Sequence, residues 1–389
     1  MKPVLDGLFL VDLSSGIAGP FAAMLLAEMG MDCVKVEARE GDPARGMPGF
    51  ALWNRSKRGL SLNLGNDKGR EIVHRLVKRA DVIIESFSPQ QVRQLGLDYD
   101  TLSGLNPGLI YCAIPLFGEK GPLAEKHGDE FVVSAFAGIM AGQGGLGQPP
   151  VYVTLPLASY GAAFLTAYGA ADALYVRETS GRGQKVEVSL LSGALAQQTA
   201  GFLASETIQP VALTRSMQQG GAAAYRLYEC QDGLWIMLAC GNQNFWNKLC
   251  IVLDRVDLAA DPRFENAPWG IVDIDNILAL TEIMAETFQQ KPRAHWLKLL
   301  GDADVPIAPV SRREEFMEDP QVKHNRMIVD IEDPQFGRTR QMGIPITLTE
   351  NPGQIKGPAP SLGQHTGEVL GELGCSSDEI GWLADSGVI

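Results

Sequence analysis

Short apolar runs alternate with amphipathic stretches through the first half of the chain. Leu8–Leu13 is an apolar run of strand length, closed by a Ser14-Ser15-Gly16 turn. From Pro20 the pattern switches to helical spacing and holds to about Met29, where Gly30 stops it. Cys33–Glu37 predicts the next strand, so the chain opens with a β-α-β unit and a parallel sheet. The stretch Lys68–Arg79 predicts a second helix, and Val82–Ile84 and Leu109–Ile114 two more strands. The first part is therefore expected to be a doubly wound α/β domain with a nucleotide-type crevice.

Further along, Gly142–Pro150 is a Gly/Pro loop. The most apolar segment, Val151–Leu174, predicts a buried strand, a turn and a helix from about Gly161 to Val176. The Ala and Gly positions of that helix suit either a tight oligomer or a plain core helix. Gly181–Gln184 predicts a turn before a strand at Lys185–Ser189. Tyr225–Glu229 and Leu234–Ala239 predict a hairpin around Asp232-Gly233. Phe245 to about Phe316 reads as helical, a plausible smaller domain, and Leu362–Ile389 as short helices.

Composition narrows the partners. The chain has 389 residues, 45% hydrophobic and 20% charged, which is ordinary globular usage for two or three domains. Its formal net charge of -13 argues against nucleic acid or an anionic membrane surface as partner. One basic cluster stands out against that balance: Lys35, Arg39, Arg45, Arg55, Lys57 and Arg58. The 6 cysteines are scattered without a C-x-x-C pair, as expected of reduced cytoplasmic thiols. No secretory signal and no apolar run of membrane-spanning length is read. The 5 histidines lie far apart, so no metal is expected. The first turn lacks G-x-G-x-x-G and there is no Walker motif, so neither a nicotinamide nor an ATP cofactor is expected.

The ordered motifs carry a resemblance. Asp12-Leu13 with Ala18-Gly19-Pro20, Val34–Glu37 with Gly41–Arg45, and Asn54, Lys57-Arg58 and Leu60–Leu64 come first. Ala80–Val82, Glu85–Phe87, Leu95–Leu97, Phe117-Gly118, Gly121-Pro122, Ser180–Val186 and Ala359–Gly363 follow in order. Along nearly its whole length the chain resembles the class III CoA-transferase (CaiB/BaiF) family. The resemblance implies a Rossmann-like large domain with a parallel sheet, formed by residues 1–200 and 330–389. It implies a smaller α+β domain at 225–325, linkers at 201–224 and 326–329, and an interlocked dimer. It also implies coenzyme A or an acyl-CoA as ligand, contacted by Arg39, Lys57, Leu64, Phe87 and Arg93, with the basic cluster facing its phosphates.

In that family an Asp carboxylate attacks the acyl-CoA thioester. A mixed anhydride and then an aspartyl-CoA thioester form, and the acceptor acid reverses the steps. Counting back from Ser180–Val186, that Asp falls on Ser159, and no Asp or Glu occurs from Phe131 through Ala171. A serine hydroxyl needs a positioned base, and none is near in sequence, so Ser159 is expected to be a small neutral residue in an inactive pocket. Asp129 and Glu130 stand where the family's racemase branch resembles a His-Asp pair. They read either as a proton shuttle or, as we favour, as a helix N-terminus. Three functions follow. The first is a CoA-transferase subunit moving CoA between an acyl-CoA and a carboxylic acid, paired with a homologous catalytic chain. The second is a self-sufficient acyl-CoA racemase, hydratase or lyase, with a homodimer as its assembly. The third is a non-catalytic CoA-binding protein. Gly142–Gly147 and Met217–Ala223 are expected to be mobile loops over the site, with Gln218–Gly221 as a glycine-rich lid.

Overall fold

Six parallel strands form the main sheet: β1 (Phe9–Asp12), β2 (Asp32–Glu37), β3 (Arg58–Ser61), β4 (Val82–Glu85), β5 (Ile110–Ala113) and β6 (Lys185–Glu187). The computed structural model describes residues 2–144, 148–202, 219–271 and 273–389. The sheet order is β3-β2-β1-β4-β5-β6, so the chain winds outward in both directions from β1 and reverses between β1 and β4. Alternate residues feed two cores. Leu10, Cys33, Ile84 and Cys112 face one, and Val11, Val34, Ile83 and Tyr111 face the other. Burial on both faces is what a parallel sheet requires, and it explains the near-continuous apolar runs.

One face carries α1 (Ala18–Glu28), whose residues are all buried. The other carries α2 (Asp67–Val77), which presents Ile72, Val73 and Leu76 inward. Beyond β4 come α3 (Pro89–Gln94) and, later, α4 (Glu130–Phe136), α5 (Leu157–Ser180) and α6 (Leu190–Ala196). The small residues of α5 are used inside the chain. A Cβ on Gly161 would lie 2.6 Å from the Gly193 carbonyl oxygen, and one on Gly193 would lie 2.3 Å from the Ala158 carbonyl oxygen. Only hydrogen at both positions lets α5 and α6 meet backbone to backbone. Elsewhere on α5, Phe164, Tyr168 and Tyr175 are exposed.

The chain divides into two units. The first comprises Met1–Ile139, Val153–Thr199 and His324–Ile389. Its last segment holds the antiparallel pair β10 (Ile328–Asp333) and β11 (Gly337–Met342), then helices Thr366–Glu372 and Ser377–Asp385. That segment closes the β3 edge: Gly59 exchanges hydrogen bonds with His365, and Ser61 N donates to Thr366 Oγ1. The second unit comprises Met140–Tyr152 and Ala200–Lys323. Its sheet of β7 (Tyr225–Glu229), β8 (Trp235–Ala239) and β9 (Ile307–Pro309) is antiparallel, around a core that includes Trp246, Phe264, Phe288 and Trp296.

Two expectations are corrected. No strand precedes α5: residues 151–156 are irregular, and Val151, Tyr152 and Leu155 are exposed. Pro149, Pro150 and Pro156 deny that stretch the donors a ladder needs. The region read as wholly helical to Phe316 contains β9, an edge strand of three residues. No helix among the described residues is long and apolar enough to cross a membrane.

Candidate active site

Open α/β sheets bind ligands beyond the carboxyl ends of their strands, at the point where strand order reverses. Here that point lies between the loops following Asp12 and Glu85. Ser15 N donates to Ser86 Oγ across it at 2.9 Å. The Ser14 loop folds against the start of α1 so closely that a Cβ on Gly19 would lie 2.2 Å from Ser14.

Beneath this crevice lies a fully buried ionic network. Lys57 Nζ donates to Asp12 Oδ2 at 2.8 Å, to the Pro20 carbonyl at 2.8 Å and to Asn54 Oδ1 at 2.9 Å. Lys35 Nζ donates to the Ser14 carbonyl at 2.9 Å and pairs with Asp42 at 3.0 Å. Burial opposes ionisation of Asp12, but the Lys57 and Lys35 ammoniums and the Lys57 and Ser14 hydrogen bonds outweigh it and hold the carboxyl below its usual range. For Lys57 burial prevails and draws the ammonium's pKa down, against the pull of Asp12.

The basic cluster is accordingly not a free electropositive patch. Arg45 forks onto Glu37 at 2.7 and 2.6 Å, and Arg55 onto Glu28 at 2.6 and 3.1 Å. Arg58 reaches Asp32, Glu368 and Glu372. Lys57, expected at the CoA phosphates, instead has all three of its donors committed inside the fold. Of the six cations, Arg39 alone has no hydrogen bond or ion pair among the described residues. It is exposed just beyond β2, beside Gly387.

The other expected contacts also fall beyond the carboxyl ends of strands. Leu64 follows β3 and is half-buried. Phe87 follows β4 and is half-buried. Arg93, on α3, is exposed, 3.6 Å from Glu125, and lines a cleft of about 340 Å³ with Tyr99, Lys120 and Lys185. Next to Phe87 sits a motif residue that was not expected at the site. Glu85 is 2% exposed and accepts from Phe87 N at 2.8 Å. Burial pushes its carboxyl up to about 7. Its signals were its place in the Glu85–Phe87 motif and a charged residue ending an otherwise apolar strand.

Asp129 and Glu130 part company. Asp129 is exposed and caps α4, accepting from Phe131 N at 3.0 Å and Val132 N at 3.1 Å. Glu130 turns inward to the start of α5. Its Oε1 accepts from Ala158 N at 3.1 Å and Ser134 Oγ at 2.6 Å, and its Oε2 from Ser159 N at 2.6 Å. Ser159 itself is 3% exposed. The first turn of α5 is fixed by the contact with α6 and by Tyr160, which meets Phe21 of α1 edge-on with centroids 5.5 Å apart. Of the expected covering loops, residues 145–147 and 217–218 lie outside the described residues. Gln219 is tied by its carbonyl to Leu227 N at 2.8 Å.

A doubly wound parallel sheet with a loop crevice at its reversal point places this chain among the open α/β folds. The sequence profile described as CoA-transferase family III matches residues 5–366, and the chain belongs to that family. It is 30% identical to the (R)-2-hydroxy-4-methylpentanoate CoA-transferase of Clostridioides difficile, over 99% of each chain. It is 31% identical to the succinate–glutarate CoA-transferase of Agrobacterium fabrum, over 96% of each. Among solved structures, a CaiB/BaiF family protein from Brucella suis matches with a TM-score of 0.84 and 31% identity, over 96% of this chain and 100% of that one.

Proposed function

We propose that this chain is a subunit of a class III CoA-transferase that moves CoA between an acyl-CoA and a carboxylic acid, paired with a homologous chain that supplies the catalytic Asp. The observation that carries the pairing is Ser159, a neutral residue at the start of α5, within a stretch from Phe131 to Ala171 that holds no acid. The exposed Phe164, Tyr168 and Tyr175 on one face of α5 support an obligate partner, because an apolar row of that kind is usually covered. Coenzyme A lies along the carboxyl edge of the sheet in this reading. Arg39 and Arg93 meet phosphates, Leu64 and Phe87 line the way, and Lys57 acts as an internal strut.

The test is co-expression with a homologue that carries Asp at the position of Ser159. The two chains are expected to co-purify and to transfer CoA from succinyl-CoA to an added carboxylate. Full-rate transfer by this chain as a homodimer would overturn the pairing. Absence of CoA binding by both the chain and the complex would overturn the function.

A further inference from the structure

The proposed pairing leaves this chain's own centre without its usual acid, yet the structure puts a carboxylate there. An aspartate's carboxylate is separated from its own amide nitrogen by only two carbons, so an acid at position 159 would lie near its own N–H. The Glu130 carboxylate arrives at that N–H from α4, with Oε2 2.6 Å from Ser159 N. We propose that Glu130 is a second nucleophile of the assembly, carrying CoA at this chain's own centre.

The two oxygens are not equivalent. A carboxylate has about four lone-pair directions. Oε1 accepts two donors, from Ala158 N and Ser134 Oγ, whereas Oε2 accepts only that of Ser159 N. Oε2 therefore keeps one lone-pair direction without a donor, on a side chain that is buried at the start of α5. Oε2 is the attacking atom.

The steps balance without any further reagent. Oε2 attacks the thioester carbonyl, the C–S bond breaks, and CoA leaves as thiolate with a mixed anhydride on Glu130. The thiolate then attacks the Glu130 carbonyl carbon. Negative charge gathers on Oε1, where Ala158 N–H and Ser134 O–H already point, which is the arrangement of an oxyanion hole. The C–O bond to the donor breaks and the donor acid departs, leaving a glutamyl-CoA thioester. The acceptor carboxylate attacks that thioester and releases the thiolate. Attack of the thiolate on the acceptor's carbonyl then frees the new thioester and restores Glu130. No electrons are gained or lost.

The inference rests on the CoA-transfer reading, and one experiment separates the two. The chain alone is incubated with succinyl-CoA and no acceptor, treated with borohydride or hydroxylamine, digested and mapped by mass spectrometry. Reduction or hydroxamate formation at Glu130 is expected, abolished in Glu130→Gln. Gln retains a carbonyl acceptor for the α5 amides, and a thermal melt checks that the variant folds. If that variant does not fold, the wild-type peptide map decides alone. An unmodified Glu130, or modification at Ser159, overturns the inference. If the complex with the Asp-bearing homologue still transfers CoA in that case, the proposed function stands without it.

Discussion

Lys57 Nζ lies 2.8 Å from Asp12 Oδ2, and solvent reaches neither side chain. Removing one member of such a pair strands the other charge in the interior. Lys57→Met is therefore expected to destabilise the fold by about 3–5 kcal/mol, read as a lower urea midpoint. Because the folded carboxyl of Asp12 sits below its ordinary value of 3.8, its contribution is present above that pH. It is lost as pH falls through the lower folded value, so the acid limb of the stability curve should flatten in Asp12→Asn.

Arg39 is the contrasting case. It is exposed and without a partner among the described residues, so Arg39→Ala should leave the melting temperature nearly unchanged. If it meets a CoA phosphate, affinity for CoA should fall roughly tenfold or more, the size of one charge-assisted contact. Calorimetric titration measures this, and unchanged affinity would remove Arg39 from the site.

Glu85 makes stability depend on pH in the opposite sense to Asp12. Its carboxyl is raised from 4.5 to about 7, so the folded chain holds the proton more tightly than the unfolded one. Stability is then greatest below about 4.5, falls as pH rises to about 7, and is level above that. Glu85→Gln should remove the slope, becoming more stable than wild type by up to about 3 kcal/mol at pH 8 and about equal at pH 4. Denaturant melts of both proteins at the two pH values provide the comparison.

Ser159→Asp returns an acid to the first turn of α5. In the chain alone, CoA transfer should rise about a hundredfold or more over wild type, the scale set by exact placement of a reacting group. A variant that folds and binds CoA but gains no rate would show that the centre lacks more than its acid.

The middle of the parallel sheet was legible because β1, β4 and β5 are buried on both faces, which leaves short apolar runs. Val82–Glu85 and Ile110–Ala113 lie within a residue of the runs that predicted them. The pair at Ile328–Met342 was not legible, because one of its faces is exposed and β11 is mostly polar, so no unbroken apolar run marks it. Charge was the harder reading. Lys57 and Arg58 stand together in sequence, but Lys57 meets Asp12, while Arg58 meets Asp32 and, more than 300 residues away, Glu368 and Glu372. Nothing local distinguishes a cation that meets a phosphate from one that meets a distant carboxylate. Glu130 was noticed only beside Asp129, and its contact with Ser159 spans 29 residues and depends on how α4 and α5 pack.

The closure of the β3 edge by residues 359–366 also orders events at the ribosome. Val369, Leu370, Leu383 and Val388 complete the core on that face, and Asn63 N donates to the Val388 carbonyl at 2.7 Å. The nascent first 199 residues thus emerge with an open strand edge and an unfilled apolar face, the combination that invites aggregation. The second unit, nearly continuous from Ala200 to Lys323, has all its strands before that gap is filled. Synthesis delivers the middle of the molecule before its flanks can join, and during that interval a holding chaperone has most to protect.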